Sequence, residues 1–248
     1  MAVTPNINYV LMNDNVTTNT SSVTLTPDAS WQAGDIMIAA FAWNNSSTLS
    51  PPTGWTAIGS SQYTVSTVFS AAFYYRFLQA GDTNWAWSIG TTTRYVGIAQ
   101  AFDGVDTTSP IHASANLNTT SSTSADAPAL TTSIDDFYLL NLWPARWSSA
   151  TGRQSIVVPG THTAGPESGT ALSSTTSQAT IRSGALTTQP TAAGMYGPYT
   201  ATTINALSNC IAFSIALKAS IAVATAKVRI GGVWVEKPIK ARVGGAWV

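Results

Sequence analysis

Apolar positions in this chain fall into short runs separated by oxygen-rich or glycine-containing breaks, and most runs alternate with a period of two. That spacing puts successive side chains on opposite faces of an extended strand. Residues 7–12 form a first run, closed by Asn13-Asp14-Asn15, and residues 23–25 form a second. After the turn Trp31-Gln-Ala-Gly34-Asp35, residues 36–43 are almost continuously apolar, which predicts a central strand buried on both faces. Further strands are expected at 55–58, at 65–77, at 85–89 (where Trp85 and Trp87 share one face) and at 95–102, ended by Asp103-Gly104. Residues 44–50 and the low-complexity stretch 114–127 read as loops, and residues 137–143 as another apolar strand. Between 144 and 207 the pattern fades, with short strands expected at 156–158 and 179–181, and it returns at 207–217. No segment carries a sustained helical period with caps. The pattern therefore predicts an all-β protein: an antiparallel β-sandwich of jelly-roll type over residues 1–218, a small-residue linker at 219–226, and a β-hairpin tail at 227–248.

The tail is an approximate tandem repeat, KVRIGGVWVEKPI followed by KARVGGAWV. Each unit sets a Gly-Gly pair between two apolar arms, the signal of a two-residue turn that needs positive φ at both central positions. In that register Ile230 faces Val233, Arg229 faces Trp234, Val228 faces Val235 and Lys227 faces Glu236. In the second unit Val243 faces Ala246, Arg242 faces Trp247 and Ala241 faces Val248. An Arg then stands opposite a Trp in each hairpin. Pro238 interrupts pairing between the units. A two-stranded hairpin is marginal in water, so Arg229, Ile230, Trp234, Val235, Arg242 and Trp247 are expected to dock on a surface.

Charge sharpens this division. Charged residues make up 9% of the chain, far below the roughly 25% usual for soluble proteins. Residues 1–217 hold five Arg, no Lys and ten acids, a net of −5, whereas residues 218–248 hold six basic residues and Glu236, a net of +5. The tail is thus suited to an acidic partner, either another subunit or its own body. An acidic body with few, interleaved basic residues argues against nucleic acid. The amino terminus, MAVTPNINYV, lacks the basic and apolar regions of a secretory signal. The most apolar window, 207–226, contains Asn209 and Lys218 and alternates, so no membrane insertion is expected.

The tail's Gly-Gly-x-Trp-Val units resemble the carboxy-terminal repeats of tailed-phage minor tail proteins. In the body, Gly34-Asp35-Ile36, Pro52-Thr-Gly54-Trp55, Tyr74-Tyr75-Arg76 and Ala101-Phe102-Asp103-Gly104-Val105-Asp106 resemble β-sandwich domains of phage virion and bacterial surface proteins. The resemblance implies a non-enzymatic virion structural protein that assembles with other virion proteins and with itself, threefold assembly being usual for phage appendages. It implies a tail or tail-tip position first and a capsid decoration role second, with contact to the host surface. It carries over no catalytic residues and no cofactor.

Candidate chemistry is sparse. The lone Cys210 lies in an alternating apolar run, where an inert buried thiol is favoured over a nucleophile. His112 and His162 show no metal-ligand spacing, and no nucleotide or serine-hydrolase motif occurs. The body has a single Glu, Glu167, in a turn-like setting, and its Asp residues stand mostly at turns or strand starts. Asp135 and Asp136 are expected on opposite faces of a strand, which does not favour a two-carboxylate hydrolase. Neither Asn13-Asp14-Asn15 nor the segment from Asp103 to Asp106 matches an EF-hand loop, so Asx-turns are favoured over calcium. The alternative of a carbohydrate-binding module rests on Arg146 and Trp147, an aromatic face and a hydrogen-bonding cation for host-surface glycan. Against it stands a core role for Trp143, with Trp147 covering one end of the sandwich.

Overall fold

The computed structural model describes residues 2–12, 14, 19–148, 154–170 and 177–220, with the backbone alone at Ile7 and in the tail strands 225–230, 233–238, 242–243 and 246–247. Among the described residues every regular element is a strand, and all strand pairing is antiparallel. The first set comprises β1 (Thr4–Met12), β2 (Thr20–Leu25), β3 (Ile36–Trp43), β4 (Leu49–Ser50), β5 (Thr56–Ala57), β6 (Tyr63–Val65), β7 (Phe69–Phe77), β8 (Trp85–Thr93) and β9 (Tyr95–Asp103). They form one sheet in the order β1-β9-β3-β7-β5, with β6 also beside β7, and a smaller sheet β2-β8-β4. The second set comprises β10 (Ile111–Ala127), β11 (Leu130–Thr132), β12 (Phe137–Trp147), β13 (His162–Gly169), β14 (Gln178–Leu186), β15 (Gly194–Tyr196) and β16 (Tyr199–Lys218). These pair as β10-β16-β12-β14-β13 and β11-β15.

The two orders repeat one plan. In each set the first strand pairs the last, the last pairs the third of the plan, and a short second strand pairs the strand just before the last. That is the jelly-roll arrangement, run through twice in one chain. The two large sheets pack face to face. Ile36, Ile38, Phe73, Ile98 and Phe102 on one side meet Leu140, Leu142, Ile181, Phe213 and Ile215 on the other in one buried layer. Residues 1–218, expected as a single sandwich, are thus two similar strand sets joined through a common apolar layer.

The other face of each large sheet is covered by its own set. Met37, Phe41 and Trp43 pack under Leu25, Trp55, Trp85 and Trp87, where Trp55 meets Trp85 and Trp87 edge-on at 5.4 and 4.9 Å. This explains the unbroken apolar run of β3: it is buried throughout because its alternate residues serve two different layers. In β8 only one face is covered, and Trp85, Trp87 and Ile89 are buried while Ala86 and Ser88 are exposed. On the far side of the second set, Trp143, Ala145 and Trp147 pack with Ala125, Ala127, Ala201 and Leu207.

Several expectations are corrected. Residues 114–127, expected as a loop, belong to the long strand β10, paired to β16 nearly throughout. Main-chain hydrogen bonds hold it, so its polar composition carries no strand signal. Strand β12 continues past the expected end at Trp143 through Pro144 to Trp147. Pairing to β16 is present at Leu142–Phe213 and resumes at Ala145–Cys210, so Pro144, which has no N–H to donate, sits where the ladder is interrupted. Of residues 156–158, only Val157 makes an isolated bridge, to Thr202. Asp135 and Asp136 precede β12 in a bend instead of alternating along a strand.

Candidate functional site

The tail is rooted firmly. Lys218 N donates to Pro110 O (2.8 Å), Asp106 N to Lys218 O (2.9 Å) and Ser220 N to Gly104 O (2.7 Å), so the end of β16 is laced to the segment joining the two strand sets. Lys218 Nζ lies 2.8 Å from Asp106 Oδ2, and the Asp106 carboxyl is pulled down to about 2 by the Lys218 hydrogen bond, with help from the Ser109 and Thr108 amides. Ala219 also bridges Val105. Residues 219 and 220 of the expected linker therefore belong to the body.

Beyond it, β17 (Thr225–Ile230) pairs with β18 (Val233–Pro238), and β19 (Arg242–Val243) with β20 (Ala246–Trp247). Arg229 stands opposite Trp234, Val228 opposite Val235, Ile230 opposite Val233 and Arg242 opposite Trp247, the partners that a two-residue turn requires. The Gly-Gly turns themselves, residues 221–224, the Ala241–Val248 pair and the tail side chains lie outside the described residues.

A cavity of about 620 Å³ opens at this root. Ala2, Val3, Phe137, Pro190 and Ala219 give it an apolar wall, and Asp135, Asp136, Gln189, Thr191 and Ser220 give polar groups. Both carboxylates are exposed; Asp135 Oδ1 accepts from Ala193 N at 2.7 Å, and Asp136 has φ +52°.

The structure separates the two expected glycan residues. Trp147 is fully buried among Trp143, Ala145 and Ile156, and so offers no open ring face to a sugar. Arg146, on the opposite face of β12, is half-buried and donates to Ser177 Oγ at 2.7 Å. A strand's period of two sends these neighbours to different layers, and the expected stacking pair is not formed.

One polar assembly was not anticipated. His162, at the start of β13, is 2.7 Å through Nε2 from Asn141 Oδ1 on β12, and Asn141 Nδ2 donates to Ser214 Oγ on β16 at 2.7 Å. Ser214 Oγ in turn donates to Pro128 O at 2.7 Å. The Asn141 carbonyl can only accept, so Nε2 carries the imidazole proton and Nδ1 accepts from the Thr161 hydroxyl at 3.1 Å. Burial beside Trp143 and Tyr199 pushes the His162 pKa down to about 4. The chain of bonds ties three strands together, and its hydroxyl is committed to a carbonyl. Its trace in the sequence was a single Asn and a single Ser inside otherwise apolar runs.

Other candidate residues have structural partners. Glu167 Oε2 meets Arg182 (3.1 Å), its cross-strand neighbour, and Ser155 Oγ (2.8 Å). His112 Nε2 accepts from Ser133 N at 3.1 Å. Cys210 is fully buried, which pushes its thiol pKa up and keeps it protonated. Among the described residues no three His, Cys, Asp or Glu side chains converge as a metal site.

Comparison with protein-family models, curated proteins and solved structures finds no match to this chain.

Proposed function

We propose that this protein is a structural component of a tailed-phage virion, a minor tail or tail-tip protein without catalysis of its own. Its double jelly-roll body serves as a rigid block, and its hairpin tail docks it to neighbouring virion subunits. The observation that carries this reading is the repeated tail unit, two hairpins that each set an Arg opposite a Trp across a Gly-Gly pair. Two-stranded hairpins need a surface to be stable, and a +5 segment after a −5 body favours an acidic one. Docking would bury Trp234, Trp247, Ile230 and Val235. Arg229 and Arg242 stacked on their Trp partners would add about 0.5–1 kcal/mol each.

Truncation after Ala226 tests the reading. The shortened chain should fold and fail to enter particles, and full incorporation would refute docking through the tail. Immunogold labelling of intact particles assigns the place: label at the tail tip is expected, whereas label over the head would make it a capsid decoration protein.

A further inference from the structure

We propose that a cleft at one edge of the sandwich, bordered by the edge strands β1 and β13, binds one unit of a neutral sugar. The cleft encloses about 280 Å³, close to the lower end of small-ligand sites, which suits a single ring. No tail residue lines it, so the inference stands independently of docking through the tail. The strand register places its polar groups. On the first large sheet Tyr9, Gln100 and Ile38 stand opposite one another in one cross-strand row, and Ile38 lies in the buried layer between the sheets. Tyr9 and Gln100 therefore turn toward that layer as well. On the second sheet Thr163, Ala185 and Leu140 form another such row, with Tyr138 two residues before Leu140 on the same face. Both rows are apolar toward the centre and polar at this edge. Both edge strands also shift register here, β1 between Pro5 and Tyr9 and β13 between Ala164 and Glu167. Bulges of this kind re-aim side chains and end pairing at sheet edges.

The chemistry of these groups selects the ligand. Tyr138 is only 8% exposed and its ring packs on Phe102, yet its hydroxyl has no hydrogen-bond partner among the described residues. The half-buried Gln100 carboxamide and the exposed Thr163 hydroxyl have none there either. Asn6 and Ser183, which also line the cleft, are committed to Ser30 and to Pro166 O. A hydroxyl and a carboxamide each donate and accept, as sugar hydroxyls do. Tyr9, 46% exposed, adds an aromatic ring against which the apolar face of a sugar can lie. None of the lining residues is charged, so a carboxylate, phosphate or ammonium would enter without a counter-charge.

Saturation-transfer NMR on the full chain tests this, with the methyl glycosides of glucose, galactose, mannose, N-acetylglucosamine and glucuronic acid as probes. At least one neutral glycoside should bind with a Kd on the order of millimolar, as a ligand of so few atoms allows. The glucuronide should bind about tenfold more weakly or not at all. Y138F, which removes only the hydroxyl, and Q100A should each weaken the neutral glycoside by about 2–10-fold, and Y9A by at least as much. Y9A and Q100A alter side chains without internal hydrogen bonds and should unfold like the parent, so they carry the test even if Y138F is destabilised. Absence of transfer from every neutral glycoside at about 10 mM would overturn the proposal. Equal binding of the glucuronide would overturn it too, as would binding unchanged in Y9A and Q100A, which would place the sugar elsewhere.

Discussion

The rings of Phe73 and Phe213 are stacked 4.0 Å apart and 17° from coplanar, one from each strand set, in the layer where the two large sheets meet. Both are fully buried. Truncating either to Ala should cost about 3–5 kcal/mol, because a ring-sized cavity in a packed layer cannot fully collapse. The pair should also show a coupling of about 0.5–1.5 kcal/mol in a double-mutant cycle measured by chemical denaturation. Additive losses would show that the rings contribute independently.

Stability should fall with acid because of His162. The imidazole titrates near 6.5 when unfolded and at about 4 when folded, so between those values the unfolded chain binds more protons. Stability contributed by the neutral imidazole is whole above pH 6.5, declines as pH falls, and is fully lost below about 4. The loss should be on the order of 1–3 kcal/mol. H162Q should flatten this part of the pH profile of unfolding, and an unchanged profile would assign the acid sensitivity to other groups.

Gly54 has φ +88°, and a Cβ built there would lie 1.9 Å from Arg76 Nη1. Arg76 is held by Asp82 at 2.9 Å and by Thr53 O at 3.2 Å, beside the Trp85 ring. G54A should therefore destabilise by about 2 kcal/mol or more, from backbone strain plus displacement of the guanidinium. In an R76A background the substitution should cost less, leaving only the backbone part. Equal costs in both backgrounds, measured by thermal unfolding, would remove Arg76 from the account.

Trp147→Ala should act as a core mutation, lowering stability by about 3–5 kcal/mol. Glycan-array binding by the parent that disappears in a still-folded W147A would contradict its burial. R146A should be milder, since the half-buried side chain gives up its bond to Ser177.

Legibility followed how each strand is held. Strands β3, β7 and β9 were readable because apolar side chains fill layers on their faces, and β8 because Trp85, Trp87 and Ile89 alternate cleanly. Strand β10 was invisible: His112, Asn116, Thr119 and Ser122 say nothing of a strand whose stability lies in its ladder to β16. Pro144 hid the continuation of β12, though Trp143, Ala145 and Trp147 at spacing two were the signal for one buried face. The His162–Asn141–Ser214 chain joins residues far apart in sequence: local patterning shows Asn141 and Ser214 as lone polar residues in apolar runs, but not that they meet each other or His162.

By itself the sequence determined the class of the fold, the pairing register of the tail hairpins and the charge division between body and tail. Each follows from neighbours a few residues apart: alternation sets the strand faces, a Gly-Gly pair sets the hairpin register, and counting sets the charge. The tertiary structure decided what depends on distant segments meeting. It paired the last strand of each set with its first, so that one jelly-roll order is used twice. It also buried Trp147 away from solvent and opened a groove flanked by Asp135 and Asp136 where the tail departs. A residue's alternation tells which of two faces it takes, but only the packed sheets determine what covers that face.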